Sequence, residues 1–171
     1  EPAWSPDGRK IVFRGDGYGY GSRRHATYVV DANGSGQRRL GPGGITPKWS
    51  PDGRRIVYVE DGAGGFGIDV MNADGTAKHR LSPGMEPSWS PDGEKIAFTS
   101  YRRGGPDIEI LSHLDRRPYP FERAGGTTIT PSWSPDGSKI AFATSRDGSD
   151  MEIYVADWNG KNMRRLTVSK G

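Results

Sequence analysis

The sequence predicts an all-β fold, a β-propeller built from four four-stranded antiparallel blades, and three observations predict it. The pentapeptide Trp-Ser-Pro-Asp-Gly opens at Trp4, Trp49, Trp89 and Trp133, at intervals of 45, 40 and 44 residues. A period in this range is the signature of solenoid or propeller arrays. Each copy carries the same flanks, a proline two residues before the tryptophan (Pro2, Pro47, Pro87, Pro131) and an apolar Ile-x-aromatic triplet after the turn. Finally, no segment shows helical periodicity, and a lone small sheet cannot bury both of its faces, whereas sheets stacked radially can.

Each unit can be justified strand by strand. The first strand ends at the tryptophan. Ser-Pro-Asp-Gly then closes a turn, in which Pro pre-sets φ, Asp bonds its own backbone and Gly accepts positive φ. Asp7, Gly8, Asp52, Gly53, Asp92, Gly93, Asp136 and Gly137 are therefore read as scaffold residues rather than a ring of ligands. Second strands follow at 11–13, 56–58, 96–98 and 140–142, and third strands at 27–31, 68–72, 108–112 and 153–157. Three of the third strands turn on Asn33-Gly34, Asp74-Gly75 or Asn159-Gly160, which are tight-hairpin signals. Fourth strands follow at 38–40, 79–81 and 164–166; the third unit departs, with Pro118 and Pro120 inside 114–121. The pairs Arg38-Arg39 and Arg164-Arg165 read as charge that keeps an outer edge from pairing. Blade boundaries fall at approximately 1–43, 44–84, 85–127 and 128–171 of a single propeller.

Trp-Ser-Pro-Asp-Gly-x-Lys-Ile-Ala-Phe at 89–98 and 133–142, with Ile-Tyr-Val at 153–155 and Arg-Arg-Leu-Thr at 164–167, resembles the TolB-type, WD40-like β-propeller repeat family. The resemblance covers nearly the whole chain. It implies that the tryptophan strand is innermost and that Trp4, Trp49, Trp89 and Trp133 pack between blades. It also implies a periplasmic or extracytoplasmic setting, a non-enzymatic role among protein partners, and a ring of six or more blades. The chain starts and stops at a blade boundary, so its four blades are expected to expose apolar faces. Further blades of a longer chain or a second copy are expected to cover them, making the four part of a larger or oligomeric ring.

Composition narrows the function classes. Ile, Val, Leu and Phe make up only 28 of 171 residues, but the net charge is just +3 and the 26 Gly and 13 Pro fall at periodic turns, as in a loop-rich β protein. With no cysteine there is no disulfide, thiolate metal site or Cys nucleophile. No apolar run reaches the roughly 20 residues of a membrane span, so no membrane insertion is expected. Gly-x-Ser-x-Gly, His-Glu-x-x-His and phosphate-loop motifs are missing, and His25, His79 and His113 occupy non-equivalent positions. Neither a catalytic residue, a metal nor a cofactor is expected. Asp or Glu accompanies most of the Arg pairs, which leaves no basic stripe for nucleic acid.

Function is left to the connections between second and third strands, which vary while the other turns repeat. They carry Tyr18, Tyr20, Arg23 and Arg24, then Tyr101, Arg102 and Arg103, then Arg146 and Asp147. Tyr and Arg are enriched at interface hot spots, and these residues are the expected binding surface of a protein-binding module. Two alternatives stand beside it: the non-catalytic, substrate-gating propeller of a prolyl-oligopeptidase-type serine peptidase, and an extracytoplasmic sensor domain.

Overall fold

The computed structural model describes residues 1–16, 25–62, 64–102, 104–114, 116–119, 121 and 124–168. Among them there is no helix, and hence none long and apolar enough to cross a membrane. The chain divides into two compact units, Glu1–Ser82 and Pro83–Gly171.

In the first unit, β1 (Ala3–Trp4), β2 (Lys10–Asp16), β3 (His25–Asp31) and β4 (Arg38–Pro42) form one antiparallel sheet in chain order. β5 (Ile45–Trp49), β6 (Arg55–Gly62), β7 (Gly65–Asn72) and β8 (His79–Pro83) form the next. The second unit repeats this with β9 (Met85–Trp89), β10 (Lys95–Ser100), β11 (Asp107–Ser112) and β12 (Pro118–Tyr119). Its last sheet is β13 (Thr128–Trp133), β14 (Lys139–Thr144), β15 (Glu152–Asp157) and β16 (Arg164–Arg165). Each sheet is the simple four-stranded meander of a propeller blade. In the third repeat, where the sequence departs from the pattern, the outer strand is the two-residue Pro118–Tyr119, as short as β16.

The recurrent turn has one geometry in all four copies. In each, the serine hydroxyl donates to the aspartate two residues on: Ser5–Asp7 2.6 Å, Ser50–Asp52 2.6 Å, Ser90–Asp92 2.5 Å and Ser134–Asp136 2.6 Å. The same carboxylate oxygen accepts the backbone N–H of Arg9, Arg54, Glu94 or Ser138. Gly8, Gly53, Gly93 and Gly137 close the turn at φ between 68° and 71°, a region side chains resist. These bonds hold the four carboxyls below their usual range. At Asp7 and Asp136 the serine hydroxyl is the largest cause, and Asp136 falls to about 2. At Asp52 and Asp92 burial acts most strongly and in the opposite sense, yet the hydroxyl and N–H donors and the neighbouring Arg54, Arg55 or Lys95 charges together outweigh it.

Register fixes the faces. Trp49 stands opposite Ile56, and Ile56 opposite Met71, so these and Tyr58 share one face of the second sheet. That face packs on Val12, Val29 and Leu40 from the far side of the first sheet. In the second unit, Trp133, Ile140, Phe142 and Tyr154 pack likewise on Ala97, Ile108, Ile110 and Phe121. Two sheets thus bury one tryptophan face and one opposite face between them, as Trp49 and Trp133 require.

Trp4 departs from the inter-blade packing expected of all four tryptophans. It is 60% exposed, because no sheet of its unit lies on its side of β1–β4. Trp89 is 8% exposed, with His113 edge-on to its ring at 5.2 Å.

Polar clamps reinforce the sheet pairs. Arg38 donates to the carbonyls of Asp74 (2.9 Å) and Ala73 (3.2 Å) in the hairpin of the next sheet, and Lys78 Nζ donates back to the Leu40 carbonyl at 2.7 Å. Gly75 makes this approach feasible, since a Cβ there would come within 2.8 Å of the Leu40 oxygen. In the second unit the corresponding seam is aromatic: Tyr119 meets Trp158 edge-on at 5.9 Å, and Lys95 Nζ lies 5.4 Å and 5.9 Å from their ring centres.

A further repeated feature is backbone strain. Thr46, Glu86 and Thr130 precede Pro47, Pro87 and Pro131, and each adopts a left-handed φ, 49°, 56° and 56°, at a break in the pairing of its first strand. Such conformations cost on the order of 1 to 3 kcal/mol each unless the surroundings hold them.

Candidate functional site

Tyr18, Tyr20, Arg23, Arg24 and Arg103 lie outside the described residues. The other sequence candidates, Tyr101, Arg102, Arg146 and Asp147, all belong to the second unit, on its two connections between second and third strands. Short backbone ties bring these connections to one rim. Thr128 N donates to the Pro106 carbonyl at 3.0 Å, and Ser145 N to the Thr127 carbonyl at 3.0 Å. Beneath them the hydroxyls of Thr128 and Thr144, 3.0 Å apart and buried, both donate to the Gly125 carbonyl. The segment leading into β13 is therefore a rigid bridge between the loops.

On one side of that bridge, Tyr101 is 53% exposed, its hydroxyl 4.0 Å from Met85 Sδ, and Arg102 is exposed while its N–H donates to Ser100 Oγ at 3.3 Å. On the other side lies a cleft of about 210 Å³, lined by Asp147, Ser149, Asp150, Glu152, Tyr154 and Arg165 among others. Tyr154 donates its hydroxyl to Asp147 Oδ2. Arg146 covers the Tyr154 ring, 5.8 Å from its centre, with its Nε 3.7 Å from Asp147 Oδ1. Arg165 pairs with Glu152 at 2.9 Å and comes within 4.0 Å of Asp147, while Thr167 donates its hydroxyl to Glu152.

The hydrogen bond to Asp147 raises the Tyr154 pKa, burial and the Asp147 charge add to the rise, and Arg165 and Arg146 oppose it. The phenol accordingly stays protonated as a donor. Within the lining, the Ser149 hydroxyl donates to the Asp150 carboxylate at 3.4 Å. Asp147 and Asp150 bring carboxyl oxygens to the lining and Arg165 a guanidinium.

Sequence reasoning named Arg146 and Asp147 but missed Glu152, Tyr154 and Arg165. It assigned Arg165 to edge protection. In the structure its guanidinium turns to a third-strand acid instead, as Arg80 does toward Asp69 (3.1 Å) in the second sheet. Burial raises Asp69, and the Arg80 charge opposes that rise. The signal was present: Arg165 stands opposite Tyr154, two residues from Glu152 on the same face. Arg38 likewise clamps the neighbouring hairpin and does not merely charge an edge.

Residues 77–171 match the family model of the TolB β-propeller domain. No curated protein matches the chain. Among solved structures, TolB from Acinetobacter baumannii is 27% identical with a TM-score of 0.79, covering 97% of this chain and 42% of that one. A putative TolB from Agrobacterium tumefaciens is 23% identical with a TM-score of 0.77, covering 98% and 61%. A puromycin-hydrolyzing peptidase from Mycobacterium tuberculosis shares 15% identity with a TM-score of 0.79, covering 97% and 28%. The chain thus spans between two fifths and about three fifths of the two TolB structures' length.

Proposed function

We propose that this chain, which belongs to the TolB β-propeller domain family, is a non-enzymatic protein-binding module that acts outside the cytoplasm. The partner docks on the rim of the second unit, with Tyr101 and Arg102 on one side and the Arg146–Asp147 cleft on the other. The observation that carries this reading is the bridge from Pro106 through Thr128 to Ser145, which holds exposed aromatic and charged side chains of two loops on a rigid base. A preorganised surface of that kind binds with little ordering cost. The extracytoplasmic setting rests on family membership.

The test compares retention of envelope proteins by the immobilised wild-type chain and by a Tyr101→Ala, Arg102→Ala, Asp147→Ala triple variant, with retained proteins identified by mass spectrometry. Specific retention by wild type that the folded variant loses supports the reading. Nothing retained by wild type, or the same proteins retained by both, overturns it.

A second reading is favoured by one observation, the likeness of the whole chain to a peptidase's fold at a TM-score of 0.79. In it, the propeller gates substrate for a hydrolase domain. A Gly-x-Ser-x-Gly motif in the flanking reading frame decides for that reading, and its absence there decides against it.

A further inference from the structure

The second unit sets a methionine sulfur against each of the two loops of its rim. Tyr101 directs its hydroxyl to Met85 Sδ at 4.0 Å, and Arg146 donates from Nη1 to Met163 Sδ. Both methionines are half-buried. Met85 opens β9 opposite Thr99, and Met163 lies just before β16 and packs on the cluster that the last two sheets share. The other two methionines differ in exposure: Met71 is 1% exposed in the core of the first unit, and Met151 is 39% exposed.

The repeats show that the fold needs sulfur at neither place. Ile45 and Ile129 stand where Met85 stands, opposite Val59 and Ala143 as Met85 is opposite Thr99. Gln37 and Lys78 stand where Met163 stands, one residue before Arg38 and His79, so that position tolerates a polar group. A thioether is a weak acceptor and holds a phenol or a guanidinium loosely. Its sulfoxide is polar and carries an oxygen that accepts far better. An oxygen on Met85 Sδ falls inside the present 4.0 Å separation, where the Tyr101 hydroxyl donates to it. An oxygen on Met163 Sδ takes the place of Arg146 Nη1, so the guanidinium has to leave the Tyr154 ring it now covers at 5.8 Å.

We propose that Met85 and Met163 are reversible oxidation sites, at which conversion of thioether to sulfoxide fixes Tyr101 and displaces Arg146. The oxidant is a hydroperoxide. The sulfur lone pair attacks one peroxide oxygen, the O–O bond breaks, and the proton of the attacked oxygen passes to the departing one, which leaves as water or an alcohol. Sulfur loses two electrons and the peroxide gains them. A thiol-dependent methionine sulfoxide reductase reverses the step, joining two thiols in a disulfide and releasing the oxygen as water. The change acts on the chain alone, whichever partner docks on the rim.

The test treats the folded 171-residue chain with hydrogen peroxide at neutral pH. Peptide mass spectrometry follows oxygen uptake at each methionine, and NMR records the Tyr101 ring and Arg146 Nε–H resonances. Met151 is expected to oxidise first, then Met85 and Met163, with Met71 at least about tenfold slower than those two, since susceptibility follows exposure. Both resonances are expected to move as Met85 and Met163 gain oxygen, and to return with methionine sulfoxide reductases and dithiothreitol. Met85→Ile should abolish the Tyr101 response and Met163→Leu the Arg146 response, while Met151→Leu, at an exposed site, should keep both. Circular dichroism checks that the oxidised chain stays folded. Met85 and Met163 left unoxidised when Met151 is fully converted, resonances that do not move, a response lost in Met151→Leu, or unfolding on oxidation would overturn the proposal.

Discussion

Glu86 Oε2 lies 3.0 Å from the backbone nitrogen of Thr130, so the strained residue of one first strand accepts a hydrogen bond from the strained residue of the next. Thr99 Oγ1 donates to the same carboxylate oxygen at 2.8 Å and accepts from Thr130 N at 3.1 Å. Three polar groups thereby share one contact at the point where both strands leave regular pairing.

Glu86→Ala removes that acceptor from a half-buried site and should destabilise the second unit by about 1 to 3 kcal/mol. Glu86→Gln keeps a carbonyl oxygen there and should cost less than half as much. Chemical denaturation of the two variants checks the ranking; equal losses would mean that the carboxylate's charge, not its acceptor geometry, holds the bulge.

The tryptophans give the second prediction. Trp89 and Trp4 occupy the same place in the motif but differ in burial, 8% against 60% exposed. Trp89→Ala should cost roughly 3 to 5 kcal/mol through lost burial and a residual cavity. Trp4→Ala, at an exposed position, should stay within about 0.5 kcal/mol in the dilute chain. Thermal melts below micromolar concentration separate the two, and similar losses would refute the assignment of Trp4 to an open face.

What could be read in the sequence follows from what repeats. Ser-Pro-Asp-Gly has one local solution, and its hydrogen bonds close within six residues, so the turn and the strands around it were predictable. Which faces lie open depends on the register of strands about 20 residues apart and on what packs beside them, so Trp4 and Trp89 look alike in sequence. The left-handed φ of Thr46, Glu86 and Thr130 runs against the preference of residues before proline and leaves no compositional trace. The cleft was half legible: Arg146 and Asp147 stand in a variable loop, whereas Glu152 and Arg165 sit in strands, where an acid two residues from the arginine's cross-strand partner is the sign.

A third prediction addresses that pair. Arg165 pairs with the Glu152 carboxylate at 2.9 Å, and Glu152 is buried. Arg165→Ala should therefore destabilise the second unit by about 1 to 3 kcal/mol. Part of that loss should return in Glu152→Gln with Arg165→Ala, because a buried neutral amide does not need the cation that has been removed. A double-mutant cycle by urea titration measures the coupling, and additive losses would show that the two side chains act independently.

The last prediction concerns acid. Asp7, Asp52, Asp92 and Asp136 all titrate below their usual 3.8 in the folded chain, Asp136 at about 2. A carboxyl whose folded pKa lies below its unfolded pKa binds protons more weakly when folded, so its contribution is complete above the unfolded value and disappears as pH falls through the folded one. Stability from the four turns should thus hold at pH 5 and be lost between roughly pH 4 and pH 2. Ser134→Ala removes the hydroxyl that is the largest cause of the Asp136 shift, and it should make the loss between pH 4 and pH 2 shallower while lowering stability at pH 5. Urea midpoints at pH 5, 4, 3 and 2 provide the measurement. A wild-type midpoint that does not fall across this window, or a Ser134→Ala slope equal to that of wild type, would contradict the account of the turn.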